Sequence, residues 1–153
     1  MLKTTIATSI KYGNYKALMG RVEKIQALLK HYAKAFKAEF DYNPSVVVHM
    51  RPIKGNTHGR AFFNKPLIEI DPRYKFRNIV ETIAHELTHS EQYKQGRLKH
   101  IIGSKQSVWE NRTMSRGSTH AQYLALPWEV EARKRAKEFV DKYFTHAYLD
   151  IAK

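Results

Sequence analysis

Two histidines and a glutamate near the middle of the chain have the residue types and the spacing of a metal-dependent hydrolytic site. Residues 85–89 read His-Glu-Leu-Thr-His within an apolar run that lacks glycine and proline and therefore predicts a helix. Residues four apart lie one above the other on a helix, so His85 and His89 can offer imidazole nitrogens to one ion. Glu86 would lie beside the open coordination position and act as general base on a bound water. The pattern predicts a site for one Zn2+ ion.

A catalytic zinc site normally takes three protein ligands and a water, so a third ligand must come from elsewhere in the chain. Positions 93 and 95 are Tyr and Gln, which excludes the spacing H-E-x-x-H-x-x-G-x-x-H of the metzincin class. The chain contains no cysteine, so the third ligand must be a histidine or a carboxylate. The candidates that remain open are Glu129, Glu131, His100, His120 and Glu110.

The composition is that of one soluble domain. The chain has 153 residues, of which 42% are hydrophobic and 12% aromatic. It has neither the apolar core of a signal peptide nor an apolar stretch of about 18 residues, so we expect a cytoplasmic protein without a membrane partner. The formal charge of +13 would attract phosphate backbones and acidic proteins alike. Because the basic residues are dispersed, a generally basic surface is favoured over a nucleic-acid partner, and the oligomeric state stays open.

An amphipathic helix is predicted after an N-terminal segment of residues 1–14. Between Tyr15 and Phe40, apolar residues recur at steps of three and four, with basic and polar residues between them. Pro44 ends this helix, since proline disfavours helical geometry at the residue before it. The apolar stripe is expected to pack into the core.

Three segments that resemble β-strands follow, and they predict a small, mostly antiparallel sheet. They are Ser45–Met50, Gly59–Phe63 and Leu67–Ile70. The third segment ends just before Pro72, which predicts an edge strand free to pair with an extended peptide substrate. The residues of this predicted peptide-binding edge are Leu67, Ile68, Glu69 and Ile70.

The rest of the chain consists of two predicted helices and a long segment between them. The metal helix is expected from Tyr74 to Gln95 and a last helix from Pro127 to Ala147. Arg97–Leu126 shows no sustained period, so we predict a long loop, a candidate substrate-binding insertion with a hairpin around Val108–Met114. Trp109 in this loop is a candidate substrate-binding residue. The expected fold is a single α+β domain spanning residues 1–153.

The two motifs together resemble a known family. Residues 126–133 read Leu-Pro-Trp-Glu-Val-Glu-Ala-Arg downstream of the His-Glu-Leu-Thr-His motif, and they resemble the glutamate helix of gluzincin metallopeptidases. The predicted order of elements over residues 14–147 is similar to that of single-domain minigluzincins and small phage-encoded peptidases. The resemblance implies a zinc-dependent metalloendopeptidase that acts on peptides or proteins, with Glu86 activating the zinc-bound water.

The resemblance also implies roles for particular residues. In gluzincins the ligand glutamate is directly followed by alanine, which assigns the third ligand to Glu131 and leaves Glu129 as the alternative. Members of that family usually take a donor for the oxyanion from a Tyr or His beyond the ligands. This implies a catalytic role for Tyr123 or His120, with His146 as a more distant candidate.

One position departs from the family pattern. Larger gluzincins often carry an acidic residue four positions after the ligand glutamate, where it orients an imidazole, whereas this chain has Arg135 there. Other groups must therefore orient the imidazoles, and Glu81 and Asn78 are the candidates on the metal helix.

Two other functions are compatible with these features. The charge and the order of elements suggest a DNA-associated protease similar to the SprT class, although that class uses a third histidine where this chain offers glutamate. A basic zinc-binding module without catalytic activity is the other alternative.

Overall fold

Groups of strands are separated by helices along the chain, and together they form the α+β fold that the sequence predicts. The computed structural model describes residues 2–6 and 15–144. Most of the predicted N-terminal segment and the end of the predicted last helix, including His146, lie outside these residues. The elements are β1 (Lys3–Ile6), α1 (Tyr15–Glu39), β2 (Val47–Met50), β3 (Gly59–Ala61), β4 (Leu67–Ile70), α2 (Phe76–Lys94), β5 (Leu98–His100), β6 (Gln106–Trp109), β7 (Arg112–Ser115), α3 (His120–Leu124) and α4 (Pro127–Tyr143).

The first sheet is mixed and contains one strand more than the sequence pattern indicates. Its order is β1-β2-β4-β3, with two parallel pairs and one antiparallel pair, β3 with β4. The parallel pairing of β1 with β2 follows from the intervening α1, because parallel neighbours need a long crossover connection. The short strand β1 lies in the N-terminal segment, where no periodicity marked a strand.

The prediction that Leu67–Ile70 forms a free edge strand is wrong. These residues form β4, which is paired with β2 on one side and with β3 on the other. Even the polar Glu69 is buried there, because Arg51 and Arg60 form ion pairs with its carboxylate. The available edge on this side of the sheet is β3.

Three helices and the mixed sheet share the main hydrophobic core. The predicted stripe of α1 is buried, and Phe36 stacks on Phe139 of α4 with ring centroids 4.6 Å apart. The α2 residues Ile79, Ile83 and Leu87 are fully buried in the same core. Since this face of α2 points into the core, His85 and His89 lie on another arc of the helix, toward α4.

The segment predicted as a long loop contains a second, antiparallel sheet, β5-β6-β7, and the short helix α3. The predicted hairpin is present as β6 and β7, joined at Glu110 and Asn111, which both have positive φ, 47° and 67°. The expectation that the rest of this segment is irregular is wrong, whereas its role as a substrate-binding insertion stays a prediction. Strands of three or four residues with few apolar side chains leave too little periodicity to recognise.

Trp109 supports the fold and does not line a substrate groove, so its predicted role is corrected. Its side chain is buried in a small second cluster with Leu98, Leu126 and Trp128. The Trp109 and Trp128 rings lie 6.0 Å apart, and the Arg97 guanidinium lies 4.7 Å from the Trp109 ring centroid. This cluster packs the second sheet against the beginning of α4.

Candidate metal centre

Helices α2 and α4 bring two imidazoles and one carboxylate together. Nε2 of His85 and Nε2 of His89 each lie 3.2 Å from a carboxylate oxygen of Glu129, and the two nitrogens are 3.1 Å apart. Ligand atoms at tetrahedral corners, 2.0–2.2 Å from a zinc ion, are separated by roughly 3.3–3.6 Å. The two distances from the imidazoles end on different oxygens of Glu129, and one ligand atom from each residue lies within 4.8 Å of the others. His85, His89 and Glu129, which we call the metal group, are therefore positioned to hold one metal ion.

Among the described residues, no arginine or lysine forms an ion pair with the buried Glu129 carboxylate. Glu129 is 5% exposed, and within residues 2–6 and 15–144 its Oε2 accepts no hydrogen bond. Burial raises the pKa of Glu129, but the two neighbouring imidazoles lower it more, so the group is ionised. A buried carboxylate facing two imidazole nitrogens is a ligand set for a divalent cation such as zinc.

The second histidine of the motif responds to the same charges. Burial lowers the pKa of His89, yet the carboxylates of Glu129 and Glu86 outweigh burial and raise it to about 9. In the chain without an ion, a proton thus occupies the place where a cation would otherwise interact with these carboxylates.

The assignment of the third ligand to Glu131 is corrected, because the structure places its carboxylate elsewhere. Oε1 and Oε2 of Glu131 accept hydrogen bonds from Arg97, at 2.9 and 3.2 Å, and Oε2 also accepts one from Gln92 at 2.6 Å. Residues two apart point about 200° apart around a helix, so only one of Glu129 and Glu131 can face the histidines of α2. The alternative ligand, Glu129, is the one that does.

Gln92 orients the imidazole of His89, a role that the sequence analysis missed. Its amide nitrogen donates to Glu131 and, at 3.2 Å, to the carbonyl of Trp128. Its Oε1 must therefore accept the hydrogen bond from Nδ1 of His89, at 2.9 Å. This bond leaves Nε2 of His89 free to face the metal group. The available signal was the position of Gln92, three residues after His89 and on the same face of the helix.

The two residues proposed from sequence to orient an imidazole do not do so. Asn78 and Glu81 line the open cleft above α2, and within the described chain neither forms a hydrogen bond with His85 or His89. Arg135 is likewise remote from the imidazoles. Its guanidinium donates to the buried carboxylate of Glu91 and to the carbonyl of Glu39, so it joins α4 to α2 and α1.

The other sequence candidates for the third ligand lie outside the metal group: His120 lines the open cleft, and the other two are bound to other partners. His100 lies 3.1 Å from the hydroxyl of Tyr93 and 2.7 Å from that of Ser107. Glu110 forms an ion pair with Arg97 at 2.9 Å. Neither residue belongs to the metal group.

Edge strand β3 holds Glu86 beside the metal group. The backbone N–H of Ala61 donates a hydrogen bond to the Glu86 carboxylate, and burial raises the pKa of this carboxyl group. The strand can approach α2 so closely because residue 59 is glycine. A Cβ at Gly59 would lie 2.6 Å from the Thr82 methyl group and 3.5 Å from Cγ of Glu86. Gly59 was the sequence signal for this close approach of β3 to α2, and strand periodicity alone does not detect it.

An open cleft of about 880 Å³ gives access to the site. His85, Glu86 and Glu129 line it together with Tyr123 and His120, the two predicted oxyanion donors. Burial raises the pKa of the Tyr123 phenol, as does the Glu129 carboxylate, to which Tyr123 is hydrogen-bonded. Tyr123 is therefore a neutral hydroxyl donor at the site, and the His120 ring centroid lies 6.4 Å from its ring.

Comparisons with known proteins give no relative. No protein-family model matches the chain, and no curated protein or solved structure matches it. The resemblance to gluzincins therefore stays a prediction based on two motifs. Across residues 2–6 and 15–144, none of the helices has the length and apolar character needed to cross a membrane.

Proposed function

We propose that this chain is a zinc-dependent metalloendopeptidase in which His85, His89 and Glu129 hold one ion. The observation that supports the proposal most is the grouping of one ligand atom from each of these residues within 4.8 Å of the others, beside an open cleft. An ion bound there would polarise a water molecule and lower its pKa to about 7.

Glu86 acts as general base in this proposal. Its carboxylate is buried beside the metal group and fixed by the N–H of Ala61, so it can take a proton from the attacking water and pass it to the leaving amine. By turning its hydroxyl from Glu129 to the oxyanion that develops on the substrate carbonyl, neutral Tyr123 can donate its one hydrogen bond to that oxyanion.

The substrate would lie along β3. This strand is an edge of the mixed sheet, and its residues Gly59 and Ala61 lie directly against Glu86. An extended peptide that pairs with an edge strand exposes its backbone carbonyls at regular intervals. Such pairing would place one peptide bond over the metal group while β3 supplies the main-chain contacts.

The proposal is tested by measuring zinc content and casein cleavage for the wild-type protein, Glu86→Gln and an exposed control, Glu138→Gln on α4. We expect Glu86→Gln to keep one zinc ion and to lose about 10²- to 10⁴-fold in cleavage rate, the usual contribution of a general base. The control should match the wild type. Full activity in Glu86→Gln would contradict the mechanism, and zinc binding without any cleavage would favour the alternative of a basic zinc-binding module.

A further inference from the structure

A second cavity lies next to the metal group on the His89 side of the cleft. Its volume is about 290 Å³, and Glu86, His89 and Glu129 form part of its wall. A substrate side chain inside this cavity would therefore belong to a residue directly beside the scissile bond. Leu126 and Trp128 form an apolar wall, and Tyr93, His100 and Arg116 form a polar one.

Neutral groups hold the polar wall in place. Nδ1 and Nε2 of His100 are bound to the hydroxyls of Ser107 and Tyr93, and burial together with the Arg116 charge lowers the pKa of His100. Nη1 of Arg116 donates to the carbonyl of Gln106 at 2.8 Å and to the Ser107 hydroxyl at 3.1 Å. Nη2 of Arg116 donates to the carbonyl of Ser104. The second sheet thus fixes the guanidinium without neutralising its charge.

Arg116 differs in this respect from the two arginines that pack nearby. Arg97 is bound to the carboxylates of Glu110 and Glu131, and Arg135 to that of Glu91. In the part of the chain that the structure describes, no carboxylate lies within 4.0 Å of Arg116. Three of its five N–H groups have neutral acceptors there, which leaves the Nε–H and one Nη2–H for a ligand.

We propose that this cavity binds a carboxylate of the substrate through Arg116. The carboxylate comes from an acidic side chain beside the scissile bond or from the substrate's own C-terminus. The proposal rests on the proposed function, since the ion offsets the charges of Glu86 and Glu129 and leaves that of Arg116 unbalanced. A guanidinium and a carboxylate pair through two parallel hydrogen bonds. The apolar wall of Leu126 and Trp128 suits the methylene groups of a glutamate side chain.

The test measures binding separately from cleavage. Zinc-loaded Glu86→Gln protein is titrated with fluorescent octapeptides that have amidated C-termini and carry Glu, Gln or Lys at a single position. A second pair of peptides differs only in a free or amidated C-terminus. We expect the Glu peptide, or the peptide with the free C-terminus, to bind roughly 10- to 100-fold more tightly than its neutral counterpart. The member of the set that shows the preference identifies the source of the carboxylate.

Variants at Arg116 link the preference to this residue. In the same background, Arg116→Met should reduce the ratio of affinities to about one, whereas Arg116→Lys should keep part of it. Arg112→Gln changes an exposed arginine on the same hairpin and should leave the ratio unchanged. Circular dichroism and zinc content establish that each variant is folded.

Three results would overturn the proposal: equal binding of charged and neutral peptides, no binding of any peptide, or a ratio that survives in folded Arg116→Met. The first two need no variant at Arg116. Cleavage of the same peptides by protein with Glu86 intact is measured in parallel. A carboxylate preference without any cleavage would refute the peptidase function while leaving the assignment of the cavity in place.

Discussion

Glu129 and Glu131 lie two residues apart on α4, yet their carboxylates have opposite surroundings. Glu131 accepts hydrogen bonds from Arg97 and Gln92, so the folded chain itself satisfies it. Glu129 faces the imidazoles of His85 and His89 and the hydroxyl of Tyr123, and its Oε2 accepts no hydrogen bond within the described residues. This buried carboxylate, which has no arginine or lysine partner among the described residues, is positioned with the two imidazoles to hold a metal ion.

The same contrast extends along the contact between α2 and α4. On the ion-pair side, which comprises Glu131 with Arg97 and Glu91 with Arg135, each carboxylate has its own arginine. On the side of the metal group, the negative charge of Glu129 is balanced only when an imidazole takes up a proton or a metal ion is bound. The ion-pair side should therefore govern stability and the metal group should govern ion binding.

The largest difference is expected between Glu129→Gln and Glu131→Gln. Glu129→Gln removes a charged ligand and should weaken zinc binding more than hundredfold, beyond the 10- to 100-fold typical of groups that only orient a ligand. Glu131→Gln keeps a hydrogen-bonding side chain and should change zinc affinity less than tenfold. Competition with a fluorescent chelator measures both. Equal losses, or the reverse order, would contradict the assignment of Glu129.

On the ion-pair side, Arg135→Met should destabilise the protein without loss of zinc. It leaves the buried Glu91 carboxylate without its cation, which costs roughly 3–5 kcal/mol for a fully buried pair. The Arg135 side chain is 25% exposed, so we expect about 2–3 kcal/mol from urea unfolding. Lys134→Met, at an exposed neighbouring position, should cost less than about 0.5 kcal/mol. If Arg135→Met lost zinc at unchanged stability, the result would contradict the claim that the ion-pair side governs stability and the metal group governs ion binding.

Gln92 is hydrogen-bonded to Glu131 on the ion-pair side and to His89 of the metal group, so a change there should weaken ion binding moderately. Gln92→Leu fills a similar volume but removes the acceptor for Nδ1 of His89, and zinc affinity should fall about 10- to 100-fold. Gln95→Leu, at the exposed position directly after the same helix, is the control. Chelator competition on both variants gives the comparison. Unchanged affinity in Gln92→Leu would show that Gln92 does not orient His89.

The two sides should also respond differently to pH. The pKa of His89 is raised from 6.5 to about 9, so zinc must displace a proton below pH 9, and apparent affinity should fall about tenfold per pH unit between 9 and 7. The raised pKa stabilises the ion-free fold below about pH 6.5, and this stabilisation is lost as pH rises through 9. The lowered pKa of Glu131 acts oppositely, since its contribution is present above 4.5 and lost in acid.

Isothermal titration of zinc at several pH values, together with unfolding of the ion-free protein, measures both effects. Release of about one proton per zinc ion at pH 7.5 is the expected result. An affinity that does not change between pH 7 and 9 would contradict the protonated His89.

Local spacing was sufficient to predict the parts of the site that lie on one helix. His85 and His89 lie together as the helical period predicts, the role of Glu86 stays a prediction, and the amphipathic stripe of α1 predicted its burial correctly. The choice between Glu129 and Glu131 depends on the rotation of α4 against α2, which is set by contacts such as Arg135 with Glu91 and Trp128 with Trp109. The local sequence of α4 does not specify how that helix is rotated relative to α2.

The sheet shows the same limit. Leu67–Ile70 has the sequence of a strand, but pairing on both sides depends on β3 and on a parallel partner contributed by β2. The burial of Glu69 depends on its ion pairs with Arg51 and Arg60, which lie 18 and 9 residues away in the sequence. Apart from the hairpin, the periodicity of residues 97–126 did not indicate the elements that they form. Short strands are stabilised by their partner strands and by packing against Trp109, and they leave little periodicity of their own.

The central claim is that Glu129 completes a zinc site with the two histidines of α2. A crystal structure of the zinc-loaded protein, with anomalous diffraction collected at the zinc edge, tests it most directly. The predicted result is one peak with Nε2 of His85, Nε2 of His89 and an oxygen of Glu129 within 2.0–2.2 Å. A peak coordinated by Glu131, or one located away from both histidines, would contradict it.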